Sequence, residues 1–269
     1  MTPTEFRQQC RQGLHTSQTS GFCPGFAQAN LVILPTKVAA DFHQLCLRNP
    51  IPCPLLAHTE IGNQHSTNDK RIISDKYFDI TRDFPRYTVY ENGSLVRCPT
   101  DVSDIWDPTR HVGFLIGCSF SFEKALDEAG LPPRNYSQKR NVSMYKTTRR
   151  LQDSGVFVDV PYVVSMRPYK LKDISRVKEI TGRFKKTHGA PIDFGYDAME
   201  RLGIRDLSNP DFGDSTQIED DEVPVFWGCG VTAQIAALSV HDRIDGPIIG
   251  HAPGHMLVTD LRDEDVMEL

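Results

Sequence analysis

The sequence predicts an α/β chain of two similar, intertwined halves, each a mixed sheet with packed helices. Three observations carry this. Apolar runs of strand length alternate with amphipathic stretches of helical spacing. A strand-to-helix corner built on glycine and cysteine occurs twice, at Gly117-Cys118 and Gly228-Cys229. Five short patterns also recur in the same order along the chain.

The elements follow in order. Residues 3–13 read as a polar helix. Residues 29–34 read as a buried strand stopped by Pro35, and 36–48 as an amphipathic helix with Val38, Phe42, Leu45 and Cys46 on one face and Thr36 as N-cap. Pro50, Pro52 and Pro54 end it, and 54–59 can form a short strand. Asn92-Gly93 marks a hairpin between 86–90 and 95–98. A strand over 112–116 leads into a helix over 121–129, closed by Gly130. In the second half, 162–166 is a strand stopped by Pro168, and 171–183 is a helix. Strands over 191–194 and 223–227, a helix over 232–240, and strands over 248–251 and 256–258 complete the chain.

The repeat lies in these pairs. Leu31 to Lys37 parallels Val163 to Lys170. Cys53-Pro54 parallels Ala190-Pro191, and Asp83-Phe84-Pro85 parallels Asp211-Phe212-Gly213. The two Gly-Cys corners match, and Met144 to Thr147 parallels Met256 to Thr259. The expected division is a helical lead-in over 1–20, a first half over 21–150 and a second over 151–269. The site is expected in the cleft between the halves, where ligands commonly bind.

Composition narrows the function classes. The 269 residues carry 30 Lys+Arg against 35 Asp+Glu, a net charge of −5, so the basic footprint of a nucleic-acid binder is absent. Basic patches at 139–140, 146–150 and 183–186 read as solvated faces or small-anion contacts. Mean hydropathy is −0.37, and no apolar run reaches membrane-spanning length. Seven cysteines, an odd number without a Cys-x-x-Cys pair, favour free thiols in a reducing compartment. Residues 1–21 lack the apolar stretch of a signal peptide, so a cytoplasmic location is expected. Whether the chain forms a homo-oligomer is left open.

Ten ordered stretches resemble the D-glutamate cyclase family, whose bacterial members are called hydro-lyases. They are 28–35 (QANLVILP), 49–56 (NPIPCPLL), 83–87 (DFPRY), 115–122 (LIGCSFSF), 140–145 (RNVSMY), 164–168 (VSMRP), 188–191 (HGAP), 210–214 (PDFGD), 223–230 (VPVFWGCG) and 251–260 (HAPGHMLVTD). The resemblance implies a lyase that closes D-glutamate to 5-oxo-D-proline with loss of water, or removes water from a related small carboxylate. It implies no cofactor. One departure is Gly195-Tyr196-Asp197-Ala198, where the family tends to carry Gly-Asp-Pro.

That chemistry needs a carboxylate clamp, an oxyanion donor and a proton-transfer group. Arg86 and Arg167 are the candidate clamps, since a guanidinium fork binds a carboxylate bidentately. Asn30, Asn141 and Ser119 are candidate oxyanion donors. His188, His251 and His255 are candidate acid/base groups, with His188 favoured by its glycine-containing loop. Asp214, beside Gly213, is a candidate base or amine anchor, against a bland role as a loop cap. Cys118 and Cys229 sit at helix starts, where a thiol pKa falls, yet the reaction demands no thiol nucleophile. Gly230 and Thr232 belong to the second corner, where helix N–H groups could meet a carboxylate. Two competing readings are a non-catalytic small-carboxylate binder and a metal-dependent hydrolase using His251 and His255. No third metal ligand follows from spacing, so no metal is expected.

Overall fold

The computed structural model describes residues 1–138 and 140–267. Lys139, part of one basic patch, lies outside them. The elements are α1 (Pro3–Arg11), β1 (Phe26–Pro35), α2 (Thr36–Arg48), β2 (Leu55–His58), β3 (Tyr87–Glu91), β4 (Ser94–Arg97), β5 (His111–Gly117), α3 (Glu123–Glu128), α4 (Arg134–Gln138) and β6 (Ser143–Arg150). They continue with β7 (Pro161–Lys170), α5 (Ile174–Gly182), β8 (Asp193–Phe194), α6 (Asp197–Leu202), β9 (Glu222–Gly228), α7 (Val231–Leu238), β10 (Ile248–His251), β11 (Leu257–Arg262) and α8 (Asp263–Val266).

Two sheets result. The larger runs β2-β5-β1-β10-β3-β4, with β11 sharing one edge of β1 with β10; the smaller runs β6-β7-β9-β8. The strand ladders are antiparallel rather than mixed. The reason is that each helical crossover skips a place. The chain passes from β1 through α2 to β2, and β5 then enters between them. It passes from β7 through α5 to β8, and β9 enters between those.

The quartets β2-β5-β1-β11 and β8-β9-β7-β6 therefore share one order. The registers agree in detail: Ala29 faces Gly117 as Val164 faces Gly228, and Leu257 faces Ala29 as Tyr145 faces Val164. The last strand of each quartet comes from the other half of the sequence. β6 ends at Arg150, where the division was expected, yet it pairs with β7, while β10 and β11 return to β1. The match of Pro35 with Pro168 was two residues out of register; the shared corners place Pro35 opposite Lys170.

Pro168 does not stop its strand. It faces Pro224 across the β7–β9 ladder, and β6 has already left β7 at Met166, so its missing N–H is not needed by a neighbour. Thr36 opens α2 without capping it; the N-cap position is Pro35. The helix expected over 121–129 begins as a 3-10 turn, Ser119–Phe122, before α3.

β1 is buried on both faces, which is why it reads as a continuous apolar run. Ala27, Ala29, Leu31 and Ile33 join a core with Val225 and Trp227 of β9, so one core spans both sheets. Val32 and Leu34 face Phe42 and Leu45 of α2 and Ala233 and Ala237 of α7. Gly117 lets the sheets close up. A Cβ there would sit 1.9 Å from the Lys186 carbonyl, so only glycine allows the segment before His188 to pack on the corner. No helix among the described residues is long and apolar enough to cross a membrane.

Candidate functional site

A concavity lies where the two Gly-Cys corners meet. Its lining includes Asn30, Cys118, Ser119, Asn141, His188, Cys229, Gly230 and His251, eight of the thirteen residues singled out in the sequence. Its cavity volume is about 40 Å³, within about 450 Å³ of non-atom space that includes open solvent. Two larger concavities, of about 330 and 390 Å³, lie beside α8 and α2 and contain none of the thirteen. The smaller one is the better candidate because it gathers eight of the candidate residues and holds the buried, unpartnered Nε2 of His188.

Equivalent positions of the two quartets both contribute to its lining: Cys118 and Cys229, Ser119 and Gly230, Phe120 and Val231, Asn141 and Pro253, Met144 and Met256. The polar members Ser119 and Asn141 have glycine and proline as their equivalents. Among the described residues no Lys, Arg, Asp or Glu lines the concavity. Sequence reasoning missed Gln234, Met144 and Met256; the Met144/Met256 parallel had been seen as a repeat and could have marked them.

His188 is 1% exposed, and its Nδ1–H donates to the Ile51 carbonyl at 2.8 Å. A carbonyl only accepts, so the proton sits on Nδ1 and Nε2 is an acceptor. Nε2 is buried without a hydrogen-bond partner. Burial, aided by the nearby Arg167 guanidinium, pulls the ring pKa down to about 4. His188 is therefore neutral at pH 7, not poised near neutrality as its loop position suggested. His251, 3% exposed, accepts the Leu31 N–H on Nδ1 at 3.2 Å, and burial takes its pKa to about 4 as well. His255 stands apart from this lining. Its Nδ1–H donates to the Pro253 carbonyl at 2.8 Å, and burial lowers its pKa.

Arg167 is not an open clamp. It is fully buried between the rings of Phe122 and Trp227, and its Nη2 donates to Glu123 at 2.9 Å and to Ser119 Oγ at 3.0 Å. Its charge is already neutralised, so it anchors the floor and holds Ser119. Glu123 also accepts from Asn135 Nδ2 at 3.0 Å. Arg86 lies off the concavity. It is half-buried, its Nε lacks a partner, and it acts on His255 through space.

The cysteines are protonated thiols. The Phe120 and Val231 N–H groups reach their sulfurs, but burial dominates and pushes Cys118 up to about 12 and Cys229 up to about 11. Desolvation outweighs the helix-start effect expected from sequence. All seven cysteines are free. Thr232 Oγ1 binds both the N–H and the carbonyl of Val163, tying α7 to β7, which removes it from the ligand contacts. Asp214 is exposed and accepts the Asn141 N–H at 2.8 Å, the bland loop-cap role rather than a base. Among the described residues no group of three His, Cys, Asp or Glu side chains is arranged to hold a metal.

Asn30 Nδ2 donates to the Ile116 and Gly117 carbonyls at 3.2 and 3.0 Å. Its donors are spent, so it offers Oδ1 as an acceptor and not an oxyanion donor. A Cβ on Gly230 would fall 2.2 Å from Asn30 Nδ2, although the Gly230 φ of −61° suits any residue. Gly230→Ala is expected to displace Asn30 and destabilise the protein by about 1–3 kcal/mol. Denaturant unfolding of Gly230→Ala, Asn30→Ala and the double variant checks it; a double variant no more stable than Gly230→Ala rules out the clash.

The chain's residues 112–260 match the family model described as D-glutamate cyclase. A protein named "Putative hydro-lyase" from Rubrobacter xylanophilus is 47% identical over 97% of this chain and 96% of its own length. Another of that name, from Staphylococcus carnosus, is 46% identical over 99% of this chain and 97% of its own. With both sheets of the corner site inside the shared region, the chain belongs to the D-glutamate cyclase family.

Proposed function

We propose that this chain is a hydro-lyase that closes D-glutamate, or a closely related amino-acid carboxylate, with loss of water. The observation that carries the reading is the unpartnered Nε2 of buried His188, an acceptor held in a concavity lined by uncharged groups. Such a lining favours the reactive form, a neutral amine facing a protonated side-chain carboxyl.

In this reading the amine nitrogen attacks the γ-carboxyl carbon. The C–N bond forms, the carbonyl π pair moves onto oxygen, and a proton passes from nitrogen to His188 Nε2. The oxyanion pair then restores the carbonyl, the C–OH bond breaks, and the leaving hydroxide takes the proton from His188 and departs as water. Ser119 and Asn141 hydrogen-bond the reacting carboxyl. Ser119 accepts from Arg167, so its own O–H is left to donate. The α-carboxylate lies toward the start of α7 at Gly230, where the helix dipole favours an anion. Arg86, whose carbonyl accepts the Ala252 N–H, supplies a cation beside the 252–256 segment. We also read the matching strand quartets as copies of one ancestral unit.

Incubation with D-glutamate and with L-glutamate, followed by chromatographic detection of 5-oxoproline, tests the activity. Turnover of the D isomer is expected. Tight binding without product would replace this reading with a carboxylate-binding protein.

A further inference from the structure

We infer that His188 and His251 are locked in opposite neutral tautomers and form the acceptor and donor poles of the site, with His251 as a catalytic oxyanion donor. The inference rests on the cyclase reading for its chemistry but not for its geometry. His188 gives its Nδ1 proton to the Ile51 carbonyl, so Nε2 accepts. His251 receives the Leu31 N–H on Nδ1, so its own proton sits on Nε2, which has no partner among the described residues and is left to donate. Both rings line the same concavity.

The partners that fix them are backbone groups of different strands and loops. Ile51 belongs to the segment before β2, and Leu31 lies mid-strand in β1, paired with Leu115 of β5 on its other edge. Neither ring can switch tautomer without breaking a bond to a rigid backbone atom. A substrate bound between the rings must therefore present an N–H to His188 and a carbonyl oxygen to His251. A neutral imidazole donor can stabilise a developing oxyanion without giving up its proton. His251 therefore polarises the carbonyl through both steps, while His188 alone carries the proton from nitrogen to the departing hydroxyl. β10, which bears His251, has no counterpart in the smaller sheet. The donor pole is thus an addition to the pseudo-symmetric frame.

Long-range proton–nitrogen correlation spectra of the intact protein with ¹⁵N-histidine test the assignment, with His188→Gln and His251→Gln used to identify signals. The expected result is a protonated Nδ1 with bare Nε2 for His188 and the reverse for His251. The same tautomer in both rings would overturn the inference. Titration with 5-oxo-D-proline should then move the His251 Nε2–H signal, and an unmoved signal at saturation would overturn the donor role. In the water-loss assay His251→Leu should lower kcat by about 10²–10³-fold with a smaller change in KM, and His251→Gln, which keeps an N–H donor, should recover part of it. Wild-type protein that shows the tautomers and binds 5-oxo-D-proline but turns over no glutamate would refute the cyclase reading while leaving the poles intact.

Discussion

Replacing His188 by glutamine is expected to lower kcat for water loss by about 10²–10⁴-fold, the usual worth of a positioned proton-transfer group. Cys118→Ser and Cys229→Ser should stay within about tenfold of wild type, because both thiols are protonated and the substrate amine supplies the nucleophile. Steady-state kinetics on the three folded variants decides the matter. A dead cysteine variant beside an active His188→Gln would mean a covalent mechanism. The same histidine has a second signature. Its folded pKa is about 4 against an ordinary 6.5, so between these values the unfolded chain binds a proton that the folded protein refuses. Stability from His188 is complete above pH 6.5 and drains as pH falls toward 4, by about 3 kcal/mol in all. Denaturant unfolding at several pH values should show wild type losing that much relative to His188→Gln, which carries no such proton. Parallel curves for the two would mean that the ring titrates normally.

Arg167→Met should destabilise the protein by about 3–5 kcal/mol, because it strands the Glu123 carboxylate in the core. Glu123→Gln should cost a similar amount by stranding the guanidinium. In a protein of this size the corresponding fall in Tm is roughly 6–20 °C. The double variant Arg167→Met/Glu123→Leu should recover much of that, since apolar replacements of a buried pair are often tolerated. Activity should not recover with it, because Ser119 Oγ has lost the donor that orients its hydroxyl. Thermal unfolding and kcat measured on the same three proteins separate the two effects. A double variant whose loss equals the sum of the two single losses would show that the two residues act independently and that packing around Phe122 and Trp227 carries the loss.

The fold was legible where its signals are local. The apolar run of β1, the Asn92-Gly93 hairpin and the two Gly-Cys corners each declare themselves within a few residues. Their coincidence around one concavity followed from the repeat. What failed depended on partners distant in sequence. Arg167 read as a free clamp because its partner, Glu123, lies 44 residues away and no local spacing joins the two. The helix starts that could acidify the two thiols are visible in sequence, and the bland reading of buried core cysteines is favoured over them; the depth of that burial is not visible. His188, a candidate from the sequence, lines the concavity, but its ionisation depends on Ile51, Arg167 and the closed sheets around it. Pro168 read as a terminator because the early departure of β6 cannot be seen from β7 alone. The tautomer of His251 is set by the Leu31 N–H, a backbone group that no side-chain pattern reports.

The exchanged strands bear on how the molecule is made. During synthesis the larger sheet cannot be completed when its first five strands emerge from the ribosome, because half of one edge of β1 belongs to residues 257–262. Until they arrive, an apolar strand waits with open hydrogen-bonding groups, the condition that invites edge-to-edge association. The smaller sheet, whose strands β6 to β9 lie close in sequence, can form first and offer β9 as a surface for β1 to pack on. The nascent chain thus holds its longest apolar strand half-finished for most of its synthesis, and its last β-strand is the one that seals it.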